Sequence, residues 1–197
     1  MGEPRRVLVA IEGADGVGKS TVADAVAREV GACSWHHDVR PGGEWTMALA
    51  FAHARAELCD ALTSGARITR GVRVGTGDER VVIADRWTLS AEVRARALVA
   101  LGHSFEHVAH GLVAAEYRAM RSFGRPNACV MLEVSDPDTW RSRFSARVGA
   151  KPTRLETVER EKYAVVAQEG WRYVVDADRP LTEVVADVVA IVRDVTR

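Results

Sequence analysis

The sequence predicts a three-layer α/β fold, in which helices flank both faces of a parallel five-stranded sheet. Short apolar runs alternate along the chain with segments in which apolar residues recur at helical spacing. The run at residues 7–11 is continuously hydrophobic, as expected for a strand buried on both faces of a parallel sheet. The 197 residues suffice for one domain with its own core, so we expect residues 1–197 to form a single domain.

Five apolar runs are predicted as strands, with helical segments between them. The strands are predicted at residues 7–11, Cys33–His36, 81–84, 128–132 and 173–175. Helices are predicted at residues 44–63, 88–101, 104–122, 136–147 and 156–169, with a first helix through Val22, Val26 and Val30 and a last one after Pro180. Residues 64–80 are rich in Gly and Arg and lack a clear period, which indicates a long loop or a small hairpin.

The composition excludes several classes of protein. The 27 basic and 27 acidic residues give a formal net charge of zero, so no basic field favours a nucleic acid polymer as partner. The three cysteines lack the spacing of a zinc site, and three cannot all pair in disulfides. The longest uncharged apolar stretch, near residues 45–54, is too short to span a membrane, and the N-terminus has no signal-peptide core. We therefore expect a cytoplasmic protein without membrane association.

A glycine-rich motif follows the first predicted strand, with the sequence Gly13-Ala14-Asp15-Gly16-Val17-Gly18-Lys19-Ser20. It matches the G-x-x-x-x-G-K-[ST] pattern of a phosphate-binding P-loop, and it lies between a buried strand and an amphipathic helix, as that loop requires. Glycines let the backbone wrap around a polyphosphate, and the helix N-terminus directs its positive dipole end at the same anion. In this pattern the lysine reaches the β- and γ-phosphates of ATP and the serine hydroxyl binds Mg²⁺. We assign nucleotide binding to Gly13, Asp15, Gly16, Val17, Gly18, Lys19, Ser20 and Thr21.

A second charged motif, Asp85-Arg86-Trp87, stands at the end of the third predicted strand. Ligands of α/β proteins bind beyond the carboxyl ends of parallel strands, so this position favours a functional role over a surface ion pair. We expect Asp85 to hold Mg²⁺ or its water together with Ser20, and Arg86 to bind a second phosphate. The chain has neither the N-K-x-D segment that GTPases need nor a strand ending in Asp-Glu, as is usual in ATPase motors.

Further segments accompany these motifs in a characteristic order: Arg40-Pro41-Gly42-Gly43, Phe51-Ala52-His53-Ala54-Arg55, Thr153-Arg154-Leu155-Glu156 and Val175-Asp176-Ala177. Together with the P-loop and Asp85-Arg86-Trp87, this set resembles the thymidylate kinase family of nucleoside monophosphate kinases over nearly the whole chain. The resemblance implies a P-loop kinase fold and transfer of the γ-phosphoryl group of ATP, with Mg²⁺, to a pyrimidine deoxynucleoside monophosphate, first of all dTMP. It also implies a homodimer.

The resemblance indicates which residues contact the acceptor nucleotide. Phe51 and Arg55 lie four residues apart and share one helix face. In the family the Phe stacks on the base and the Arg contacts base or phosphate. Asp15 and Arg86 are expected at the same site. Arg94 replaces an aromatic residue that crowds the sugar 2′ position in the family, so we include Arg94 among the acceptor contacts.

A short arginine-rich lid is expected at about residues 141–155. The P-loop of this chain carries no arginine, so the arginine that stabilises the transition state is expected from the lid. The candidates are Arg141, Arg143, Arg147 and Arg154. We assign catalytic roles to Arg143 and Arg147, beside Lys19, Asp85 and Arg86.

Departures from the family pattern leave the acceptor open. Ala91 stands where a small polar residue is usual, Asn127 replaces an Asp, and residues 64–80 are longer than the corresponding segment of the family. A modified nucleotide or a deoxynucleoside is therefore an alternative acceptor. A further alternative is a non-catalytic P-loop module that binds nucleotide for regulation, although the intact Lys19, Asp85 and lid arginines argue against it.

Overall fold

The computed structural model describes residues 6–37, 44–102, 126–167 and 173–197. These ranges contain six strands and six helices. The strands are β1 (Val7–Glu12), β2 (Cys33–His36), β3 (Val72–Val74), β4 (Val81–Asp85), β5 (Ala128–Glu133) and β6 (Tyr173–Asp176). The helices are α1 (Lys19–Val30), α2 (Glu44–Ser64), α3 (Thr88–Ala100), α4 (Pro137–Val148), α5 (Arg154–Ala167) and α6 (Leu181–Val195). The predicted helix at 104–122 and the motif at residues 40–43 lie outside the described ranges.

The strands form one sheet in the order β3-β2-β4-β1-β5-β6. All described neighbours pair in parallel except β3, which pairs antiparallel with β2. The predicted count of five strands is therefore wrong by one, and the extra strand lies within residues 64–80. In this segment Val72 and Val74 alternate with Arg73, and Gly71 and Gly75, both with positive φ, turn the chain at either end. Three residues are too few to give a clear period in the sequence.

The predicted element boundaries agree with the structure to within about two residues for the elements described. The start of α5 shows a reason for one difference, since this helix begins at Arg154 and not at Glu156. The Thr153 amide donates to Glu156 Oε2 over 2.8 Å, and the Glu156 amide donates to Thr153 Oγ1 over 3.4 Å. This reciprocal pair is a capping box, which starts a helix at the residue after the threonine.

Both faces of the sheet are buried against helices. The side chains of β1 alternate, so that Val9 and Ile11 pack with α1 and α6, whereas Leu8 and Ala10 pack on the other face with α2 and Trp87. All six residues of β1 are buried, as the continuous apolar run predicts. The sheet is therefore the middle of three layers. None of the helices in the described ranges has the length and apolar content that crossing a membrane requires.

The register of the sheet brings the carboxyl ends of three strands together. Ile11 of β1 and His36 of β2 are both paired with Asp85 at the end of β4. The glycine-rich loop that follows β1 thus lies beside Asp85 and Arg86, although these residues are about 70 positions away in the sequence. This edge is where ligands of open parallel sheets bind.

Candidate active site

The loop between β1 and α1 together with the first two residues of α1, residues 13–20, is called the phosphate cradle below. Its shape depends on glycine at two positions in particular. Gly13 has φ +142°, and a Cβ atom there would lie 2.5 Å from the Leu132 carbonyl oxygen. Gly18, just before α1, has φ +97°. Residues with a side chain rarely adopt such backbone angles. The conformation of the loop therefore requires the glycines of the sequence motif at these two positions.

Lys19 is the first residue of α1, and its side chain folds back over the cradle. The ammonium Nζ donates to the Ala14 carbonyl oxygen over 2.6 Å and lies 3.8 Å from Asp15 Oδ1. Only 3% of the residue is exposed. Burial, together with the nearby Arg86 cation, lowers the pKa of Lys19 to about 8, and Asp15 offsets this only in part. The cradle thus holds a buried cation that a bound anion would stabilise.

Asp15 and Arg86 form an ion pair across the cradle. Burial alone would raise the pKa of the Asp15 carboxyl, but Arg86 and Lys19 hold it below its usual value. Arg86 is the only described residue other than glycine with a positive φ, at +76°. Its amide donates to the Ile11 carbonyl oxygen over 2.9 Å. This strained backbone and the ion pair direct the Arg86 side chain from the end of β4 to the cradle.

The carboxylate of Asp85 is buried at the end of β4, next to the Ser20 hydroxyl. Its Oδ2 lies 3.0 Å from His36 Nδ1 and 3.6 Å from Arg73 Nη1. Burial opposes ionisation, but His36, Lys19 and Ser20 together hold the pKa of Asp85 well below its usual value. The carboxylate is therefore charged at neutral pH.

Ser20 and Asp85 fit the requirements of Mg²⁺. Mg²⁺ prefers oxygen ligands, and it is commonly held by one or two side chains plus substrate phosphates. Neither carboxylate oxygen of Asp85 has a well-aligned hydrogen-bond donor among the described residues, so both keep lone pairs for a cation. The described residues contain no cluster of three or more His, Cys, Asp or Glu side chains that could hold a metal without phosphate ligands.

Glu12, which the sequence analysis did not assign to the site, fixes the turn that carries Asp85 and Arg86. Its carboxylate is fully buried and accepts hydrogen bonds from the Trp87 amide over 2.8 Å, the Ser90 amide over 3.3 Å and the Ser90 hydroxyl. The Tyr163 hydroxyl of α5 donates to the same Ser90 hydroxyl over 2.8 Å. Burial raises the pKa of Glu12 despite these donors. A carboxylate that ends an otherwise apolar strand is the sequence signal that could have identified this role.

Phe51 and Arg55 lie on one face of α2, as their spacing predicts, but Arg55 points into the protein. It is 2% exposed, and its Nη1 lies 3.3 Å from His37 Nε2. The His37 ring packs against Phe51 with ring centroids 5.0 Å apart. Burial and the Arg55 cation lower the pKa of His37 to about 3, so the imidazole is neutral. The structure therefore places Arg55 in the interior beside His37, and Phe51, which is partly buried, packs against the same ring.

Arg94 is a residue of α3, and its side chain extends toward Glu159 of α5. Its Nη1 is 3.6 Å from Glu159 Oε1, and about a third of the side chain (35%) is exposed, whereas Glu159 is buried. Burial, and then the Asp15 carboxylate, raise the pKa of Glu159, which Arg86 and Arg94 offset in part. Arg94 thus faces the same charged region as Asp15 and Arg86, on the α5 side of it.

Helix α4 carries three of the four expected lid arginines, Arg141, Arg143 and Arg147, and lies on the cradle. The Trp140 indole donates to the Asp15 carbonyl oxygen, and a Cβ atom at Gly16 would lie 3.2 Å from Phe144 Cβ. The lid, residues 141–155, comprises the rest of α4, a connection at 149–153 and the first residues of α5.

The lid arginines occupy different environments. Arg143 is half-buried and donates to the Ala177 carbonyl oxygen in the β6–α6 turn. Arg141 is exposed and pairs with Asp138 over 2.9 Å. Arg147, in the last turn of α4, is exposed, and its charge helps to lower the pKa of Asp15. Arg154 is exposed at the start of α5.

The chain matches no protein-family model and no curated protein. It is similar to several solved structures. A structure of deoxyadenosine kinase from M. mycoides with bound dATP has a TM-score of 0.71 at 14% identity, covering 95% of this chain and 100% of that one. The YorR protein from Bacillus subtilis in complex with phosphorylated GDP has a TM-score of 0.56 at 19% identity, with 95% and 96% covered. A gluconokinase from Sinorhizobium meliloti has a TM-score of 0.51 at 17% identity, with 95% and 92% covered.

These similarities confirm the predicted fold class. The chain has an α/β fold with a central, mostly parallel sheet flanked by helices, and it shares this fold with P-loop kinases. The sheet has six strands in the described ranges, where five were predicted.

Proposed function

We propose that this chain is a phosphotransferase that uses ATP and Mg²⁺ to phosphorylate a small nucleotide acceptor. The observation that carries the proposal is the convergence of Lys19, Arg86 and Asp85 at one edge of the sheet. Lys19 and Asp85 are buried, and Arg86 is a partly buried cation beside them. Buried charges are costly without a ligand, and a polyphosphate with a metal ion matches this arrangement in charge. The fold shared with P-loop kinases supports the same reaction class.

The chain's own residues divide the proposed reaction between them. Lys19 holds the β- and γ-phosphates, and Ser20 and Asp85 hold the metal ion, which when bound would neutralise charge on the transferred group. Arg86, fixed by Asp15, binds a second phosphate. From the lid, Arg147 supplies positive charge to the transition state, and Arg143 is the second arginine proposed for this role.

The acceptor that we propose is a pyrimidine deoxynucleoside monophosphate, with dTMP as the first to test. The proposal rests on the ordered motifs that resemble the thymidylate kinase family, and on Phe51, whose ring packs against His37, next in the chain to the His36 that contacts Asp85. Arg94 is proposed to reach the sugar or phosphate of the acceptor from its position beside Glu159. The homodimer implied by the resemblance is a prediction that light scattering tests.

A deoxynucleoside is the second candidate acceptor. A specific observation favours it, since three of the similar solved structures are of deoxyadenosine kinase, with bound dATP, with dCTP, and with the products dCMP and dCDP.

An assay coupled to ADP release, run with ATP, Mg²⁺ and a panel of acceptors, separates these proposals. The panel is dTMP, dUMP, dCMP, UMP, thymidine and deoxyadenosine, and the Lys19→Ala variant is the control for contaminating kinases. Fastest release with dTMP supports the first proposal, and fastest release with a deoxynucleoside replaces it with the second. ATP binding without ADP release for any acceptor would contradict both, and would favour the regulatory module.

A further inference from the structure

Arg73 connects the additional strand β3 to the proposed active site. Its Nη2 lies 2.6 Å from Asp24 Oδ2 on α1, and its Nη1 lies 3.6 Å from Asp85 Oδ2. The other oxygen of Asp24 accepts a hydrogen bond from the Ser34 hydroxyl of β2 over 2.7 Å. A single guanidinium therefore bridges a carboxylate of α1 and the carboxylate that we assign to the metal site.

The exposure of the three groups shows why this contact matters. Asp85 has 2% of its side chain exposed and Asp24 has 14%, whereas Arg73 has 38%. Two carboxylates that are so little exposed to solvent repel each other unless a cation lies between them. The planar fork of arginine presents a different nitrogen to each carboxylate, Nη2 to Asp24 and Nη1 to Asp85. Arg73 thus compensates the negative charge of Asp24 and Asp85 at the carboxyl end of β4.

The local structure of residues 64–80 delivers Arg73 to this position. The β3 register pairs Val74 with Ser34 and Val72 with Trp35, and it shifts between these two pairs. Gly71 approaches β2 so closely that a Cβ atom there would lie 2.3 Å from the His36 carbonyl oxygen.

Other arginines of the same segment make only surface contacts. Arg67 lies 3.6 Å from Asp78, and Arg70 lies 3.3 Å from Glu57, with 61% and 74% of their side chains exposed. Exposed pairs of this kind contribute little to stability. They provide matched controls for Arg73.

We propose that Arg73 is a positioning residue for Asp85. Together with His36, whose Nδ1 lies 3.0 Å from the same oxygen, it holds Oδ2 of the carboxylate and leaves Oδ1 to the metal ion, and by its charge it reduces the attraction of the carboxylate for that ion. This inference rests on the proposed function of the same site. Its consequence is that the segment at 64–80 serves the reaction, although none of its residues is assigned to substrate.

A first experiment tests the contact without metal, nucleotide or turnover. Denaturant unfolding is measured for wild type, Arg73→Ala, Asp85→Asn and the double variant, with Arg70→Ala as control. We expect Arg73→Ala to lower the unfolding midpoint of the wild type clearly more than that of Asp85→Asn, because the repulsion that Arg73 relieves requires a charged Asp85. Arg70→Ala is expected to leave the midpoint unchanged. Equal shifts in both backgrounds would overturn the inference.

A second experiment measures Mn²⁺ binding by calorimetry to protein saturated with a non-hydrolysable ATP analogue. Removing a positive charge near the ion should strengthen binding, so Arg73→Ala is expected to bind Mn²⁺ several-fold more tightly, on the order of tenfold at most. Its kcat should nevertheless fall about 10- to 100-fold, because the carboxylate loses its orientation. Arg73→Lys keeps the charge and should retain the wild-type Mn²⁺ affinity.

The two effects of Arg73→Ala differ in sign, and this separates positioning from general damage. A damaged fold would weaken Mn²⁺ binding as well as turnover, and either this result or unchanged Mn²⁺ affinity would contradict the inference. If wild type neither binds Mn²⁺ with the ATP analogue nor releases ADP, the proposed function fails. The unfolding measurements would still decide whether Arg73 is coupled to Asp85.

Discussion

The phosphate cradle and the lid both carry charges for the same proposed substrate, but they hold them differently. In the cradle and the adjoining turn, Lys19 is buried, Arg86 is paired with Asp15, and the backbone adopts positive φ at Gly13, Gly18 and Arg86. In the lid, Arg147 is exposed at the end of a regular helix. The cradle is organised before any ligand binds, whereas the lid presents its charge to water.

This difference has a physical explanation. A preorganised charge loses no energy to reorganisation when the transition state forms, but it destabilises the protein while no anion is bound. An exposed arginine does not destabilise the free protein, but it contributes only when it is brought to the substrate. We therefore expect changes in the cradle to affect turnover and stability in opposite directions, and changes in the lid to affect turnover alone.

The largest expected effect is that of Lys19→Ala. Loss of one transition-state contact reduces kcat by about 10²–10³. The same change removes a buried cation, so the free energy of unfolding at pH 7 should rise, by about 1–3 kcal/mol. ADP release and thermal unfolding measure the two effects. The matched control is Lys151→Ala in the lid, where the lysine is exposed and neither quantity should change.

Arg147→Ala tests whether a lid arginine affects turnover without affecting stability. We expect kcat to fall about 10- to 100-fold with little change in KM for the acceptor, because the charge acts in the transition state. The melting temperature should stay within the range of error, since the side chain is exposed. Arg141→Ala, which removes an exposed pair with Asp138, is the control. Equal kinetics of these two variants would show that the lid charge comes from elsewhere, with Arg143 next to test.

Arg55→Ala asks whether burial of charge on α2 resembles that in the cradle. Arg55 differs from Lys19 in size, since it is among the largest fully buried side chains and its Nη1 contacts His37 Nε2. Its removal leaves a cavity and breaks this contact, so the free energy of unfolding should fall by about 2 kcal/mol. Phe51→Ala should instead weaken acceptor binding more than stability. Calorimetry with dTMP and denaturant unfolding separate the two. A loss of dTMP binding in Arg55→Ala at unchanged stability would indicate that Arg55 contacts the substrate directly.

The smallest expected effect is the dependence of ATP binding on pH. The pKa of Lys19 in the free protein is about 8, so its charged form declines above that pH. ATP affinity should fall by up to about tenfold per pH unit above 8. Over the interval from 8 to the usual lysine pKa, the unfolded chain binds the additional proton, so the stability of the free protein should rise with pH. Titration calorimetry with ATP at pH 7, 8 and 9 measures the affinity, and unfolding of the free protein at the same pH values measures the stability. Lys19→Ala should show neither trend.

Local patterns were sufficient to predict most of the fold and the cradle. The run at 7–11, the motif after it and the stripe of Val22, Val26 and Val30 each lie within a few turns of chain, and the structure contains the strand, loop and helix they predict. The position of Asp85 and Arg86 beside the cradle followed from one general rule on strand ends.

The residues that sequence reasoning missed depend on partners far away in the chain. Arg73 is 49 residues from Asp24, and Glu12 is 78 residues from Ser90. Arg55 is expected to contact the base or phosphate of the acceptor, and the sequence does not show that its Nη1 lies 3.3 Å from His37 Nε2, 18 residues away. A helix periodicity identifies the face on which a side chain lies, and not what covers that face. Strand β3 was missed because its three residues gain their structure from pairing with β2.

The order of the strands also determines when the cradle can form during synthesis on the ribosome. Strand β1 is made first, but its neighbours are β4, which begins at Val81, and β5, which ends at Glu133. At typical rates of about 5–20 residues per second, roughly 6–24 seconds separate the emergence of β1 from that of its second partner. During that time β1 lacks at least one of its two neighbouring strands, and until β4 is made it lacks both. The nascent chain therefore depends most on chaperones before residue 133 is made, and a translational pause before that point should increase aggregation more than a later one.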